Sequence, residues 1–306
     1  MKKFLSAILC LTLLFSMAIP VFAVYETPYE DSEFFEYEGY SVHYRKMEAE
    51  NQKGQILMIH GFAHTTYCWT DIATELVSEG YTCVLVDLPD FGYSSRETAD
   101  MKKLPREEIM YALMVHLSDD PWYVAGHSMG GFVAESIYDK YPESVNNILL
   151  YGTSGNINSP QTAKLAGNET FIKLIVPFLK FIVKFDKVIE IAIKWCFFDN
   201  EYAETYDYSE ILKSLRVPGT GEGVMYSFSM LSDTNYEAIK NGPPVLYING
   251  SKDAVIKKSA VKTLKENLPE NSVYHEVEGG GHLFIENYAH ETAEVTLEFL
   301  KNNPSR

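Results

Sequence analysis

Residues 122–137 read Trp122-Tyr123-Val124-Ala125-Gly126-His127-Ser128-Met129-Gly130-Gly131-Phe132-Val133-Ala134-Glu135-Ser136-Ile137, and this stretch decides the fold. The first four residues form an apolar, β-like run, and the last seven suit a helix. Between them lies the pattern G-x-S-x-G. A strand that turns so abruptly into a helix strains the backbone of the central residue and leaves room only for small side chains beside it. Gly126 and Gly130 supply those small positions, so Ser128 is expected at the apex with its hydroxyl presented for nucleophilic attack. The five-residue pattern alone also occurs in ordinary turns; the strand before it and the helix after it favour the nucleophile.

A nucleophilic serine needs a base, an acid to orient that base, and donors for the developing oxyanion. Of the eight histidines, only His282 lies on a Gly-rich loop near the C-terminus, Gly279-Gly280-Gly281-His282, after the alternating run 272–277. His60 and His127 sit inside turn motifs, where packing is the simpler role. His43, His64, His116, His275 and His290 read as surface or core filling. The buried-strand run Pro244-Val245-Leu246-Tyr247-Ile248-Asn249-Gly250 is followed at once by Ser251-Lys252-Asp253, which makes Asp253 the orienting acid. The end of the preceding strand offers only Gly152-Thr153-Ser154, without a carboxylate. For the oxyanion, the strand Gln55–Ile59 ends in His60-Gly61-Phe62, and Met129 follows the serine. The backbone N–H groups of Phe62 and Met129 are the expected donors, each typically contributing about 3–4 kcal/mol to transition-state stabilisation.

The order Ser128, Asp253, His282 and four sequence blocks resemble the α/β-hydrolase-fold serine hydrolases. The blocks are His60-Gly61-Phe62 with Trp69 downstream, Asp87-Leu88-Pro89-Asp90-Phe91-Gly92-Tyr93-Ser94, residues 126–131, and Asp253 with Gly281-His282. The chain looks like the branch with a His-Gly-Phe oxyanion loop, and the likeness covers about residues 34–154 and 240–300. It implies a mostly parallel central sheet flanked by helices, with a helical cap insertion, and it implies no cofactor and no metal. Family members of this kind are mostly esterases, lipases, C–C bond hydrolases and cofactor-free perhydrolases. The H-G-G-P-G loop of proline iminopeptidases is absent, which argues against a peptidase. Serine rather than aspartate at the elbow argues against the family's dehalogenases and epoxide hydrolases. The resemblance makes the Asp87–Ser94 block a structural turn near the site. The expected activity is hydrolysis of small carboxylic esters with medium acyl or aromatic groups. Its rivals are C–C bond hydrolysis or perhydrolysis on the same triad, and a non-catalytic binding protein of the same fold.

The N-terminus bears on the compartment. Lys2-Lys3 precede an almost wholly apolar stretch from Phe4 to Ile19, and Pro20-Val21-Phe22-Ala23 ends in a workable signal-peptidase site. Residues 1–23 therefore read as a signal peptide of a secreted protein, with an uncleaved membrane anchor as the competing reading. Cleavage removes two lysines and shifts the formal charge from −16 to about −18. Such acidity disfavours nucleic acid as a partner. Cys68, Cys83 and Cys196 remain, an odd number that does not suggest a disulfide framework. The fold must then rest on its core, within a first core part 24–154 and a second core part 241–306.

Between them, residues 155–240 read as the cap. The lysines Lys173, Lys180, Lys184, Lys187 and Lys194 fall on one helical stripe amid apolar residues, and Pro177 is expected to break or kink the first helix. The apolar face of 171–198 most simply covers the core; the sharper reading has part of it line an acyl pocket or touch lipid. The acidic, aromatic tract 200–210 reads as solvated cap surface. No membrane partner is required by these features, and oligomeric state is not legible.

Overall fold

The computed structural model describes residues 29–98, 100–154, 168–229 and 234–306. The expected signal segment 1–23 and parts of the expected cap lie outside these residues. One compact unit, Asp31–Arg306, holds every element described below.

Eight strands form one sheet: β1 (Ser32–Tyr37), β2 (Tyr40–Met47), β3 (Gly54–Ile59), β4 (Tyr81–Val86), β5 (Trp122–His127), β6 (Val145–Tyr151), β7 (Leu246–Gly250) and β8 (Val273–Val277). Their spatial order is β1-β2-β4-β3-β5-β6-β7-β8. The β1/β2 and β2/β4 pairs are antiparallel, and every other pair is parallel. Strands β3 to β7 are buried along their whole length. That burial explains their unbroken apolar runs, since a parallel sheet is covered on both faces.

Alternation along each strand divides the core in two. Leu57, Ile59, Val84, Val86 and Val124 point into one cluster, while Ile56, Met58, Cys83, Leu85 and Tyr123 point into the other. The first cluster is closed by α2 (Arg106–Leu117) and α3 (Met129–Lys140), the second by α1 (Thr70–Ser78) and the C-terminal α12 (Ala289–Asn302). Each such side chain contributes roughly 1.5–3 kcal/mol by leaving water.

Between β6 and β7 lie α4 (Glu169–Ile182), α5 (Asp186–Phe197), α6 (Asn200–Thr205), α7 (Ser209–Arg216), α8 (Thr220–Ser229) and α9 (Tyr236–Lys240), the stretch expected to form a cap. The helices α10 (Lys258–Glu266) and α11 (Phe284–Asn287) belong to the second core part. Two buried arginines tie α8 to the core. Arg96 Nε donates to Thr220 Oγ1 at 2.8 Å, and Arg106 Nη2 donates to Asp90 Oδ2 at 2.7 Å and to Ser227 Oγ at 3.0 Å. Such buried charges are tolerable because each is paired and hydrogen-bonded.

Four expectations need correcting. Pro177 does not break the helix: α4 runs through it, and the chain turns at residues 183–185. The lost backbone bond is offset by the Asn168 side chain capping the helix at the Phe171 N–H and by burial of Ile172 and Val176. The lysine stripe is consequently divided between two helices, with Lys184 in the turn. The apolar surplus of α4 and α5 does not cover the core: Leu174, Phe178, Phe181 and Trp195 are between 57% and 73% exposed. Finally, the tract 200–210 is not all solvated, because Tyr206 and Glu210 are buried.

A buried carboxyl in α3 gives a stability prediction. Glu135 accepts a hydrogen bond from Thr234 Oγ1 at 2.6 Å, and burial pushes its carboxyl up to about 8 from an ordinary 4.5. The folded state therefore keeps a proton that the unfolded chain has released, and stability falls as pH rises from about 4.5 to about 8. The expected loss is on the order of 4 kcal/mol. In Glu135→Gln this loss should be absent, so thermal melts at pH 5 and pH 8.5 should show a smaller drop in Tm for the variant. An equal drop in both proteins would exclude Glu135 as its source.

Candidate active site

Strand β5 passes into α3 through Ser128, whose backbone lies at φ 50° and ψ −113°. A side chain of L-configuration rarely adopts this region, and the surroundings hold it there. The Ser128 N–H donates to Tyr151 O at 2.8 Å, and the Gly131 N–H donates to Ser128 O at 3.0 Å. Glycine is required on both sides. A Cβ on Gly126 would stand 2.2 Å from Gly130 O, and one on Gly130 would stand 2.3 Å from Ile59 O.

The other two residues of the expected triad meet Ser128 from different elements. His282 Nε2 lies 2.9 Å from Ser128 Oγ, and His282 Nδ1 lies 2.9 Å from Asp253 Oδ2. A carboxylate beside Nδ1 favours the tautomer with its proton there and leaves the Nε2 lone pair toward the serine hydroxyl. Asp253 is itself held, because its Oδ1 accepts the N–H groups of Val255 at 2.8 Å and Ile256 at 2.9 Å. The Asp253 side chain is 1% exposed and that of His282 is 9% exposed, so the pair is shielded from water.

The loop expected to supply oxyanion donors adjoins the elbow, since Ile59 at the end of β3 pairs with Gly126 on β5. Met129 is the first residue of α3, where a backbone N–H has no acceptor within the helix. Phe62 follows Gly61 on the loop leaving β3; the residue is 46% exposed, and its ring is edge-on to Phe91. His60 fixes this loop: its Nδ1 bonds to Gly61 O at 2.6 Å, and its Nε2 accepts the Leu88 N–H at 3.0 Å. This pattern suits only a neutral ring, and burial pushes His60 down to about 4.

Three sets of partnerships near the site escaped the sequence reading. Asp87 binds His43 Nδ1 at 2.7 Å and accepts the Thr66 and Tyr93 N–H groups, which makes the Asp87–Ser94 turn rigid. Glu286 joins His64 Nε2 at 2.9 Å to the Tyr206 hydroxyl at 2.7 Å, linking the loop after β3, α11 and the segment that follows α6. The last residues of α5 also reach the site, where Cys196 O accepts the His282 N–H at 2.6 Å and the Leu283 N–H at 3.2 Å. None of these pairings leaves a local motif; His64 and Glu286 are 222 residues apart. Among the described residues, no group of three His, Cys, Asp or Glu side chains is placed to hold a metal ion.

The arrangement can pass a proton from a serine hydroxyl to an imidazole whose far side is held by a carboxylate. The sequence profile of the alpha/beta hydrolase fold family matches residues 55–288. Lipase 3 of Moraxella sp. (strain TA144) is 28% identical over 238 residues, covering 74% of this chain and 71% of its own. Lipase 1 of Psychrobacter immobilis is 26% identical over 249 residues, covering 78% and 74%. Among solved structures, a membrane phospholipase A superposes with a TM-score of 0.70 at 19% identity over 99% of each chain.

Proposed function

The chain belongs to the alpha/beta hydrolase family, and from that premise we propose that it is a serine hydrolase cleaving carboxylic esters through an acyl-enzyme. The observation that supports this reading most is the unbroken line Ser128–His282–Asp253, with both contacts at 2.9 Å. Lipase relatives support ester hydrolysis as the class of reaction. In the proposed sequence, Ser128 Oγ attacks the carbonyl carbon while His282 Nε2 takes its proton. The carbonyl oxygen becomes an oxyanion held by the Phe62 and Met129 amides. The intermediate collapses, the C–O bond breaks, and the leaving alkoxide takes the proton from His282. Water, deprotonated by His282, then attacks the acyl carbon and releases the acid, restoring the Ser128 hydroxyl.

The substrate class is proposed as medium acyl or aromatic esters. The half-exposed Phe62 ring beside Phe91, adjoining the oxyanion loop, favours an apolar acyl group. Each buried methylene adds about 0.8 kcal/mol, close to fourfold in kcat/KM, until the pocket is full. A series of p-nitrophenyl esters should therefore rise from acetate through butyrate to octanoate. If kcat/KM peaks at acetate and declines steadily, the acyl site is small and this substrate class is wrong.

Secretion is proposed from Lys2-Lys3, the apolar segment and Ala23, with an N-terminal anchor as the alternative if the segment is retained. N-terminal sequencing that begins at Val24 supports the first, and an intact Met1 the second.

A further inference from the structure

Helices α4 and α5 turn an unusual amount of apolar surface to solvent. Leu174, Phe178 and Phe181 on α4 are 73%, 60% and 57% exposed, and Val188, Ile191 and Trp195 on α5 are 47%, 66% and 58% exposed. Their spacing of three and four residues aligns them on one side of each helix. Single exposed leucines are ordinary, whereas a contiguous stripe of this kind marks an interaction surface. The stripe is not misplaced core, because the opposite faces are already engaged: Ile172 and Val176 are each 4% exposed, and Phe197 is fully buried.

We propose that this outer face of α4 and α5 docks on the surface of an anionic phospholipid bilayer. The occupant is chosen by charge. The chain carries a formal −16, yet residues 169–198 hold five lysines against three acidic residues. At about 100° per residue, Lys173 and Lys180 flank the stripe of α4 on one side, Lys187 and Lys194 flank that of α5, and Lys184 lies in the turn between the two helices. Lysine stems of this kind lie along an apolar surface and lift their ammonium groups to the headgroup layer. Lys180, Lys187 and Lys194 contact Glu222, Glu190 and Glu204. Exposed pairs of this kind contribute little and leave the ammonium groups free to turn toward phosphate. No described helix is long and apolar enough to cross a membrane, so the face lies on the bilayer rather than through it. The last turn of helix α5 carries the Cys196 carbonyl bonded to the His282 N–H, which places the docking face beside the candidate active site.

The proposal does not depend on ester hydrolysis, and its test reads no activity. Trp69 is fully buried and Trp122 is 2% exposed, so Trp195 is the tryptophan that reports on the face. Vesicles of phosphatidylcholine with phosphatidylglycerol, added to the full chain, should shift its emission to the blue and allow quenching by brominated acyl chains. Trp195→Phe should lose that response while still floating with the vesicles. Apparent affinity should exceed that for pure phosphatidylcholine by about tenfold or more, since each lysine near an anionic surface contributes about 1 kcal/mol. Phe178→Gln combined with Ile191→Gln, both at exposed positions, should float poorly with unchanged Tm. No emission shift, or an equal response to pure phosphatidylcholine, overturns the proposal. So does flotation unaffected by the double substitution, which would assign binding to another segment such as residues 4–19. A blue shift that grows with protein concentration without lipid would assign the face to a second copy and equally overturn it.

Discussion

Ser128→Ala is expected to lower kcat on a p-nitrophenyl ester by about 10⁴-fold or more, roughly 5.5 kcal/mol of lost transition-state stabilisation. The substitution removes the oxygen proposed to attack and leaves His282 Nε2 without the partner it now has at 2.9 Å. Little else should change. Alanine has the same Cβ as serine, and the two backbone bonds at this position, to Tyr151 O and from the Gly131 N–H, do not involve the hydroxyl. Tm should therefore move little while kcat collapses, which separates a chemical effect from misfolding. A fluorophosphonate gives an independent readout, because it bonds phosphorus to the serine oxygen with loss of fluoride. Wild type should label and Ser128→Ala should not. Retained activity or labelling in the variant would take Ser128 out of the mechanism, and no labelling of folded wild type would favour a non-catalytic protein of this fold.

The parts of the fold that position Ser128, Asp253 and His282 were legible for one reason. Strands β3, β5, β6 and β7 are buried on both faces, so each appears in the sequence as a short apolar run whose end marks a loop of the site. Ser128 and Asp253 follow two such runs directly, and His282 follows the last strand across a glycine loop. The β1–β2 hairpin was harder to read because β1 mixes Glu33 and Glu36 with Phe34 and Phe35, and only part of it is buried. The residue in its turn that marks it is Gly39, which together with Glu38 adopts positive φ. Polar partnerships across the chain, such as His43 with Asp87 and Glu286 with Tyr206, have no local spacing to betray them. The cap misled for a different reason. Helix α4 is apolar on two sides, with Ile172 and Val176 inward and Leu174 and Phe178 outward, so periodicity identifies a helix without saying which side meets the core.

Asp253→Asn should reduce kcat by about 10³- to 10⁴-fold while leaving the fold intact, and the reason lies in how the carboxylate is already occupied. Oδ1 accepts the N–H groups of Val255 and Ile256, whereas Oδ2 faces His282 Nδ1. An asparagine has one oxygen and one NH₂ group. Two backbone donors fix its oxygen at the Oδ1 position, so the NH₂ group must face Nδ1. The imidazole can satisfy that donor only by accepting at Nδ1, which moves its proton to Nε2. A protonated Nε2 cannot take the proton from Ser128, although every heavy atom remains in place. Because both backbone bonds survive, Tm should stay close to wild type, and binding of an unreactive ester analogue should be nearly unchanged. The loss should thus appear in kcat rather than KM. A fall of less than tenfold would show that Asp253 does not set the tautomer of His282, and a KM effect of similar size to the kcat effect would point to a displaced loop instead.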